Sequence, residues 1–444
     1  MGMINNLRQL RAALKKPDRR AVVSNFAWLV TDKLVRFIIG AGVGFYVARY
    51  LGPQGLGAMG YATAIAGVVM LMAEGGLEAI IRRELVAYPA QTPRTLAGAL
   101  TLRLLVGVAG YGLILVLCLL HDDVSTGNGL LPILGLMVFQ PSVMLPELWF
   151  QARMKSRVTV FIQWGAALAG AGLRVMLVQS HAELAAFAWV SVFEFSLCAA
   201  MLAWRARQEG LTMDFGGRVL MTARRLALEA WPLMLSGIAV AIYMRIDAVM
   251  LRNMAGEEAV GIYMAGVKFS EIWLFAPGAL AVSMIPGLTR AKLVGGEVYY
   301  RKILQYCQVS ALLGYGLAIS VFLLGPSLVR MAYGEVFAGS VPVQMVHAWI
   351  LLFASLGVAR GQVCVMEGWT RFHLIATLIG AALNIGLNWV LIPSQGPVGA
   401  ALATLAAQVV AAWLSTYLFK PALKLARMQT RALLCPFPSI FHET

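Results

Sequence analysis

The chain has 444 residues, 60% of them hydrophobic and 13% charged, with mean hydropathy +0.76 and a formal net charge of +15. Soluble domains carry about 25% charged residues, and this surplus of apolar side chains exceeds what one globular core can bury, which excludes a soluble enzyme or a soluble nucleic-acid-binding domain. Long apolar runs, rather than weak alternation, also exclude a membrane β-barrel and predict an all-α polytopic membrane protein.

The first twenty-one residues, beginning MGMINNLRQLRAALKKPDRR, are basic and amphipathic and lack the apolar core and cleavage site of a signal peptide. They read as a cytoplasmic segment resting on anionic lipid. A span follows at 22–48, with Asn25, Trp28, Asp32 and Arg36 three to four residues apart on one stripe of one helix. A polar stripe on a membrane-length helix needs a protein-lined or aqueous surface to face. The stretch ARYLGPQGLG then stops one helix and starts another through Gly52, Pro53, Gly55 and Gly57.

With about 20 apolar residues needed per crossing, twelve spans are predicted: 22–48, 56–80, 95–120, 130–151, 158–179 and 184–204, then 227–250, 259–286, 303–325, 341–366, 372–392 and 398–419. A polar linker at 205–226 separates two six-helix lobes, 22–204 and 227–419, and 420–444 reads as a cytoplasmic tail. With the N-terminus inside, the outer loops hold only Arg49, Arg252 and Arg330, and the other loop lysines and arginines lie inside. That asymmetry places both termini in the cytoplasm.

The halves echo each other. ARYLGPQGLGAMGYA after span one resembles LRNMAGEEAVGIYMA after span seven, and WGAALAGAGLRVMLV in span five resembles IGAALNIGLNWVLI in span eleven. Six spans separate each pair, so the repeats share one orientation, related by a pseudo-two-fold along the membrane normal.

Lys33, Arg36, Arg103, Arg174, Arg245, Lys268 and Arg360 fall at membrane depth. At about 3 kcal/mol each, facing lipid would cost on the order of 20 kcal/mol. Lys33 and Arg360 can reach an interface; the rest must face the interior or a partner. Asp32, Asp247 and Glu271 are candidate coupling or ion-pair acids: Asp32 is four residues from Arg36, and Glu271 three from Lys268. Arg103, Arg174 and Arg245 have no easy local neutralisation. With Arg36, and Lys268 beside them, they predict a cationic cavity suited to a phosphate-bearing ligand, because the guanidinium fork matches phosphate oxygens. The five cysteines form no CxxC pair, the five histidines have no metal-ligand spacing, and no phosphate-binding loop is present. The sequence therefore predicts no catalytic constellation, metal or cofactor.

Three stretches carry a family resemblance. The first is Asn25, Trp28 and Arg36 leading into Ala48-Arg49-Tyr50-Leu51-Gly52-Pro53 and Gly57, then Gly75-Gly76-Leu77 and Arg82-Arg83-Glu84-Leu85. The second is Arg245-Ile246-Asp247 followed by Val260-Gly261-Ile262-Tyr263, Ala265, Lys268, Glu271, Pro277 and Pro286. The third is Asn384, Asn388, Ile392-Pro393, Gly396, Gly399-Ala400-Ala401 and Thr404. These resemble the polysaccharide flippases that move O-antigen or exopolysaccharide repeat units, within the multidrug/oligosaccharidyl-lipid/polysaccharide exporter superfamily.

The resemblance implies a two-lobed inner-membrane transporter that moves undecaprenyl-diphosphate-linked glycans to the outer leaflet. It implies membrane lipids, a polysaccharide polymerase and glycosyltransferases as partners, and no nucleic acid. The diphosphate would rest on Arg36, Arg103, Arg174, Arg245 and Lys268 between the lobes. A cation-coupled drug exporter of the same fold and a non-transporting scaffold for glycosyltransferases are the alternatives. The exporter would want an acidic, aromatic cavity.

Overall fold

The computed structural model describes residues 19–74, 76–120 and 129–437, with side chains throughout except at 19–27, 29, 30, 32–34, 37, 73, 232, 233 and 235–244. The basic segment before residue 19, the loop 121–128 and the side chain of Asp32 therefore lie outside the described residues.

Twelve helical elements follow one another. They are α1 (Arg19–Glu74), α2 (Leu77–Ala87), α3 (Thr92–Leu120) and α4 (Leu130–Ala152, assembled from short α and 3-10 pieces). Then come α5 (Ser156–Gln179), α6 (Leu184–Gln208), α7 (Val219–Glu271) and α8 (Phe275–Val294). The last are α9 (Gly296–Tyr333), α10 (Ser340–Glu367, interrupted at Trp349), α11 (Thr370–Ala412) and α12 (Leu423–Leu434).

At 1.5 Å per residue, a straight α1, α7 or α11 would measure roughly 65–85 Å, two to three bilayer cores. Each is broken by one glycine: Gly52 (φ 68°, ψ 180°), Gly256 (φ 87°, ψ 176°) and Gly396 (φ 55°, ψ −131°). Positive φ is the left-handed region that glycine enters without strain. Among the described residues nine stretches are long and apolar enough to cross a membrane, and three of them contain these breaks, which makes twelve legs. The protein is a multi-pass α-helical membrane protein of about twelve spans, and each break falls in the gap between two expected spans.

The repeat is visible in the backbone. Gly52 and Gly256 have nearly the same φ and ψ, one position apart in the two copies of the first repeated motif. Just past the second, in the same register, Gly396 (φ 55°) aligns with His181 (φ 52°), so a non-glycine accepts the left-handed conformation in the N-terminal copy.

The chain forms two compact units, Met1–Val47 with Val69–Ile238, and Ala48–Val68 with Ala239–Thr444. In the first, α2 buries Leu77, Ile80, Ile81, Glu84 and Leu85, the i, i+3, i+4 pattern of an amphipathic helix. Their apolar members pack with Leu96, Leu145, Phe150 and Leu202. Glu84 is buried because Arg225 donates to it at 2.7 Å and Thr95 at 3.3 Å. In the second unit, Tyr306, Cys307, Leu352 and Leu356 centre one core, and Leu251, Val260 and Ala400 another. Arg49 donates from Nε to the Ala332 carbonyl at 2.9 Å, and from Nη2 to that of Met331. It thereby caps the C-terminal end of α9.

Residues 423–434, grouped with the tail from sequence, form α12. The helix buries Leu425, Ala426, Gln429 and Ala432 and turns Lys424, Arg427 and Arg431 outward. The Gln429 amide donates to the Ala412 carbonyl at 3.0 Å and the Tyr315 hydroxyl to that of Leu433 at 3.1 Å.

Candidate functional site

The glycine breaks bring side chains distant in sequence to one carboxylate. Asn388 precedes Gly396 by eight residues and Thr404 follows it by eight, so the two legs of α11 place them side by side. Asp247 precedes Gly256 by nine and Tyr263 follows it by seven, so α7 does the same. Tyr263 donates its hydroxyl to Asp247 Oδ2 at 2.8 Å, Thr404 donates to Oδ2 at 2.7 Å, and the Asn388 amide donates to Oδ1 at 2.6 Å. Behind them, the Asn384 amide donates to Thr404 Oγ1 at 3.2 Å, and Asn388 to Asn384 Oδ1 at 3.1 Å.

Asp247 is 4% exposed, and Asn384 and Asn388 are fully buried. A buried carboxylate is tolerated when donors converge on it. The Thr404 hydroxyl has one proton and two acceptors in reach, Asp247 and the Ala400 carbonyl at 2.9 Å. With Asp247 charged, Thr404 donates to it. With Asp247 protonated, Asp247 can donate to Thr404, which turns to Ala400. Both protonation states are satisfied without moving a helix.

Asp247 lines a cavity of about 580 Å³ inside the C-terminal unit, with Arg245, Glu271, His347, Arg360 and His373 also on its wall. His347 is held by a 2.6 Å hydrogen bond between its Nδ1 and Ser270 Oγ. Arg245 is exposed into this region from α7. Arg360, expected at an interface, is instead 2% exposed and on the cavity wall. The Ala411 carbonyl near the end of α11 accepts from its guanidinium.

A second cavity, of about 250 Å³, lies inside the N-terminal unit and is lined by Arg36, Gln140, Gln163, Arg174, Ser191 and Glu194 among others. Arg174 on α5 pairs with Glu194 on α6 at 2.7 Å and donates to Ser191 at 3.3 Å. Gly170 makes room for the pair: a Cβ there would lie 2.6 Å from Glu194 Oε2 and 3.1 Å from Arg174 Nη1. Arg103 lines neither cavity. It is 3% exposed on α3 and donates to the Pro141 carbonyl at 2.6 Å, beside the interruption of α4 at Met144. Lys268 is exposed on α7 and also lines neither.

Among the sequence-predicted residues, then, Arg36 meets Arg174, and Arg245 meets Asp247 and Glu271. Reasoning from sequence put Glu194 and Arg360 at membrane depth without giving them a place in a cavity, and missed His347, His373 and the role of Asn384, Asn388 and Thr404 around Asp247. The polar spacing Asn384, Asn388 within an apolar leg was the available signal.

The sequence matches the family model described as polysaccharide biosynthesis protein over residues 22–291, more than half of the chain. The chain belongs to the polysaccharide biosynthesis protein family. The uncharacterized membrane protein YabM of Bacillus subtilis (strain 168) is similar at 28% identity over 204 residues. That match spans 44% of this chain and 38% of YabM, well short of the relative's full length.

Solved structures share the fold of this family member across nearly its whole length. The lipid II flippase MurJ in an inward closed conformation superposes with TM-score 0.69 at 13% identity, over 95% of this chain and 93% of that one. An inward-facing multidrug resistance MATE family transporter of the MOP superfamily gives 0.65 at 14%, over 90% and 95%. A MOP superfamily transporter from Pyrococcus furiosus, described for the reverse polarity of its binding pocket, gives 0.55 at 14%, over 91% and 96%.

Proposed function

We propose that this polysaccharide biosynthesis protein flips undecaprenyl-diphosphate-linked repeat units from the cytoplasmic to the outer leaflet of a bacterial inner membrane. The observation that carries the reading is the C-terminal unit's cavity, where Arg245 presents a guanidinium group on a mostly apolar wall that also carries Asp247, an acid hydrogen-bonded in either protonation state. Guanidinium forks bind diphosphate oxygens bidentately. The acid gives a way to couple release to proton or cation uptake.

In this reading Arg245 contacts the diphosphate in the C-terminal unit's cavity with Asp247 as the coupling acid, and Arg36 and Arg174 offer guanidinium groups to it in the N-terminal unit's cavity. The lobes 22–204 and 227–419 rock about a pseudo-two-fold to expose the site to each side. Both termini face the cytoplasm, as the sparse basic residues of the outer loops imply. Lipids are the immediate partners, with a polymerase and glycosyltransferases acting before and after.

A drug exporter of the same fold is the second reading, and Asp247 and Glu271 on the same cavity wall are what favour it. Purified protein in vesicles separates the two. Flipping of a polyprenyl-diphosphate-linked sugar that Arg245→Ala abolishes supports the flippase. Efflux of cationic dyes without lipid flipping would replace it with the exporter.

A further inference from the structure

Arg360 is a buried cation that no carboxylate neutralises among the described residues. Its Nη1 donates to the Ala411 carbonyl and, at 2.9 Å, to Ser415 Oγ, which ties α10 to the end of α11. Its Nη2 lies 3.4 Å from His373 Nδ1, and its Nε, also sealed from solvent, has no hydrogen-bond partner. Nη1 is therefore spent on protein acceptors, whereas Nε and the Nη2 proton parallel to it are not. Those two donors form the edge of a guanidinium that grips a carboxylate or phosphate with two hydrogen bonds.

The surroundings fit the same ligand. With Nδ1 turned to Arg360, the neutral His373 ring carries its proton on Nε2 and is a second donor. Its ring packs against Gly361, where a Cβ would stand 3.2 Å from His373 Cε1, so the glycine holds the imidazole beside the guanidinium. Both residues line the 580 Å³ cavity. The acidic cluster lies elsewhere: Thr404 and Ala411 are seven residues apart, about 10 Å along the leg of α11. Asp247 thus lies toward one end of this stretch of α11, and Arg360 and His373 toward the other.

We propose that Arg360 and His373 form a phosphate-binding site on the wall of this cavity. It receives a phosphate of a polyprenyl diphosphate or of an anionic phospholipid headgroup. The site is separate from Arg36, Arg174 and Arg245, and the diphosphate arm of the proposal rests on the flippase reading above.

The test uses the full chain in phosphatidylcholine nanodiscs, titrated with farnesyl diphosphate by calorimetry. A parallel set of nanodiscs contains phosphatidylglycerol. Wild type binds farnesyl diphosphate. Arg360→Gln raises the dissociation constant tenfold or more and His373→Phe several-fold, while Arg371→Gln, exposed one residue outside the site, leaves it unchanged. Loss of the calorimetric signal in phosphatidylglycerol discs assigns the site to a lipid headgroup. A retained signal assigns it to the diphosphate.

If Arg360→Gln does not fold, Arg360→Lys and His373→Phe carry the test, since lysine keeps the charge and loses the fork. Wild-type affinity in those variants overturns the site. A wild type that binds neither farnesyl diphosphate nor phosphatidylglycerol overturns it as well. Flipping lost in Arg245→Ala, with binding of both farnesyl diphosphate and phosphatidylglycerol unchanged in either Arg360 variant, overturns this site and leaves the flippase reading standing. Absent flipping, with phosphatidylglycerol still bound through Arg360, does the reverse.

Discussion

Gly57 and Gly261 each back onto the residue that follows the other's kink. A Cβ on Gly57 would run into the carbonyl of Glu257, which follows Gly256, and a Cβ on Gly261 into the carbonyl of Pro53, which follows Gly52. The contact is reciprocal, as a two-fold relation between repeated motifs demands, and both stretches belong to one compact unit. Two backbones can approach this closely only where neither carries a side chain.

Gly57→Ala and Gly261→Ala are therefore expected to lower the melting temperature of purified protein. Overpacking of this kind costs about 1–3 kcal/mol. Gly316→Ala, with nothing within 4 Å of its would-be Cβ, is neutral or stabilising, as expected for glycine replaced in a helix. Equal melting temperatures for all three variants would remove the packing argument.

Asp247→Asn should insert and fold, because an amide oxygen can still accept from Tyr263 and Thr404, yet flipping in vesicles should fall tenfold or more. Asp247→Ala should also lose stability, since the buried Tyr263 hydroxyl is left without its acceptor, at about 1–3 kcal/mol, while Thr404 keeps the Ala400 carbonyl and Asn388 keeps Asn384. Wild-type flipping by the Asn variant would exclude Asp247 from coupling.

Arg174 and Glu194 should behave as a unit. Removing one side of a partly buried ion pair strands the other charge, so each single Ala variant lowers stability, and the double variant recovers part of the loss. Thermal melts of the four proteins give the coupling, expected at about 0.5–3 kcal/mol. Strict additivity would mean that Arg174 is held by something other than Glu194.

Arg103 is expected to act through folding. Its donor serves the Pro141 carbonyl in a closed environment. Arg103→Ala should reduce the amount of folded protein while flipping per folded molecule stays within about twofold of wild type, in contrast to Arg245→Ala. These order-of-magnitude expectations follow from the spread seen for buried polar groups. A selective loss of flipping at normal protein level would instead give Arg103 a ligand role.

Topology is read by labelling. In a cysteine-free background, Asn253→Cys and Gln395→Cys, both exposed beside the glycine breaks, should react with an impermeant maleimide from outside. Arg218→Cys should react only after permeabilisation. Labelling of Arg218→Cys in intact cells would overturn the orientation.

Much of the architecture was legible in one dimension because the relevant physics is local. A run of about 20 apolar residues is a span wherever it occurs, and Gly52, Gly256 and Gly396 break helices through their own φ angles. Arg49 shows where such reading stops. By sequence it is an outer-loop charge, while the structure spends it on two carbonyls at the end of a helix nearly three hundred residues away.

The sequence by itself determined a polytopic helical membrane protein with repeated halves, twelve legs and an unusual load of intramembrane arginine. Only the tertiary structure decided what each charge meets. Glu194 neutralises Arg174 from another helix, and Asn388 and Thr404 converge on Asp247 because Gly396 folds their helix back. Arg360 sits in the cavity wall because the end of α11 supplies its acceptors. Hydrophobicity and backbone preference add up residue by residue, but the energy of a buried charge depends on acceptors and donors brought from elsewhere in the chain, and no local spacing encodes them.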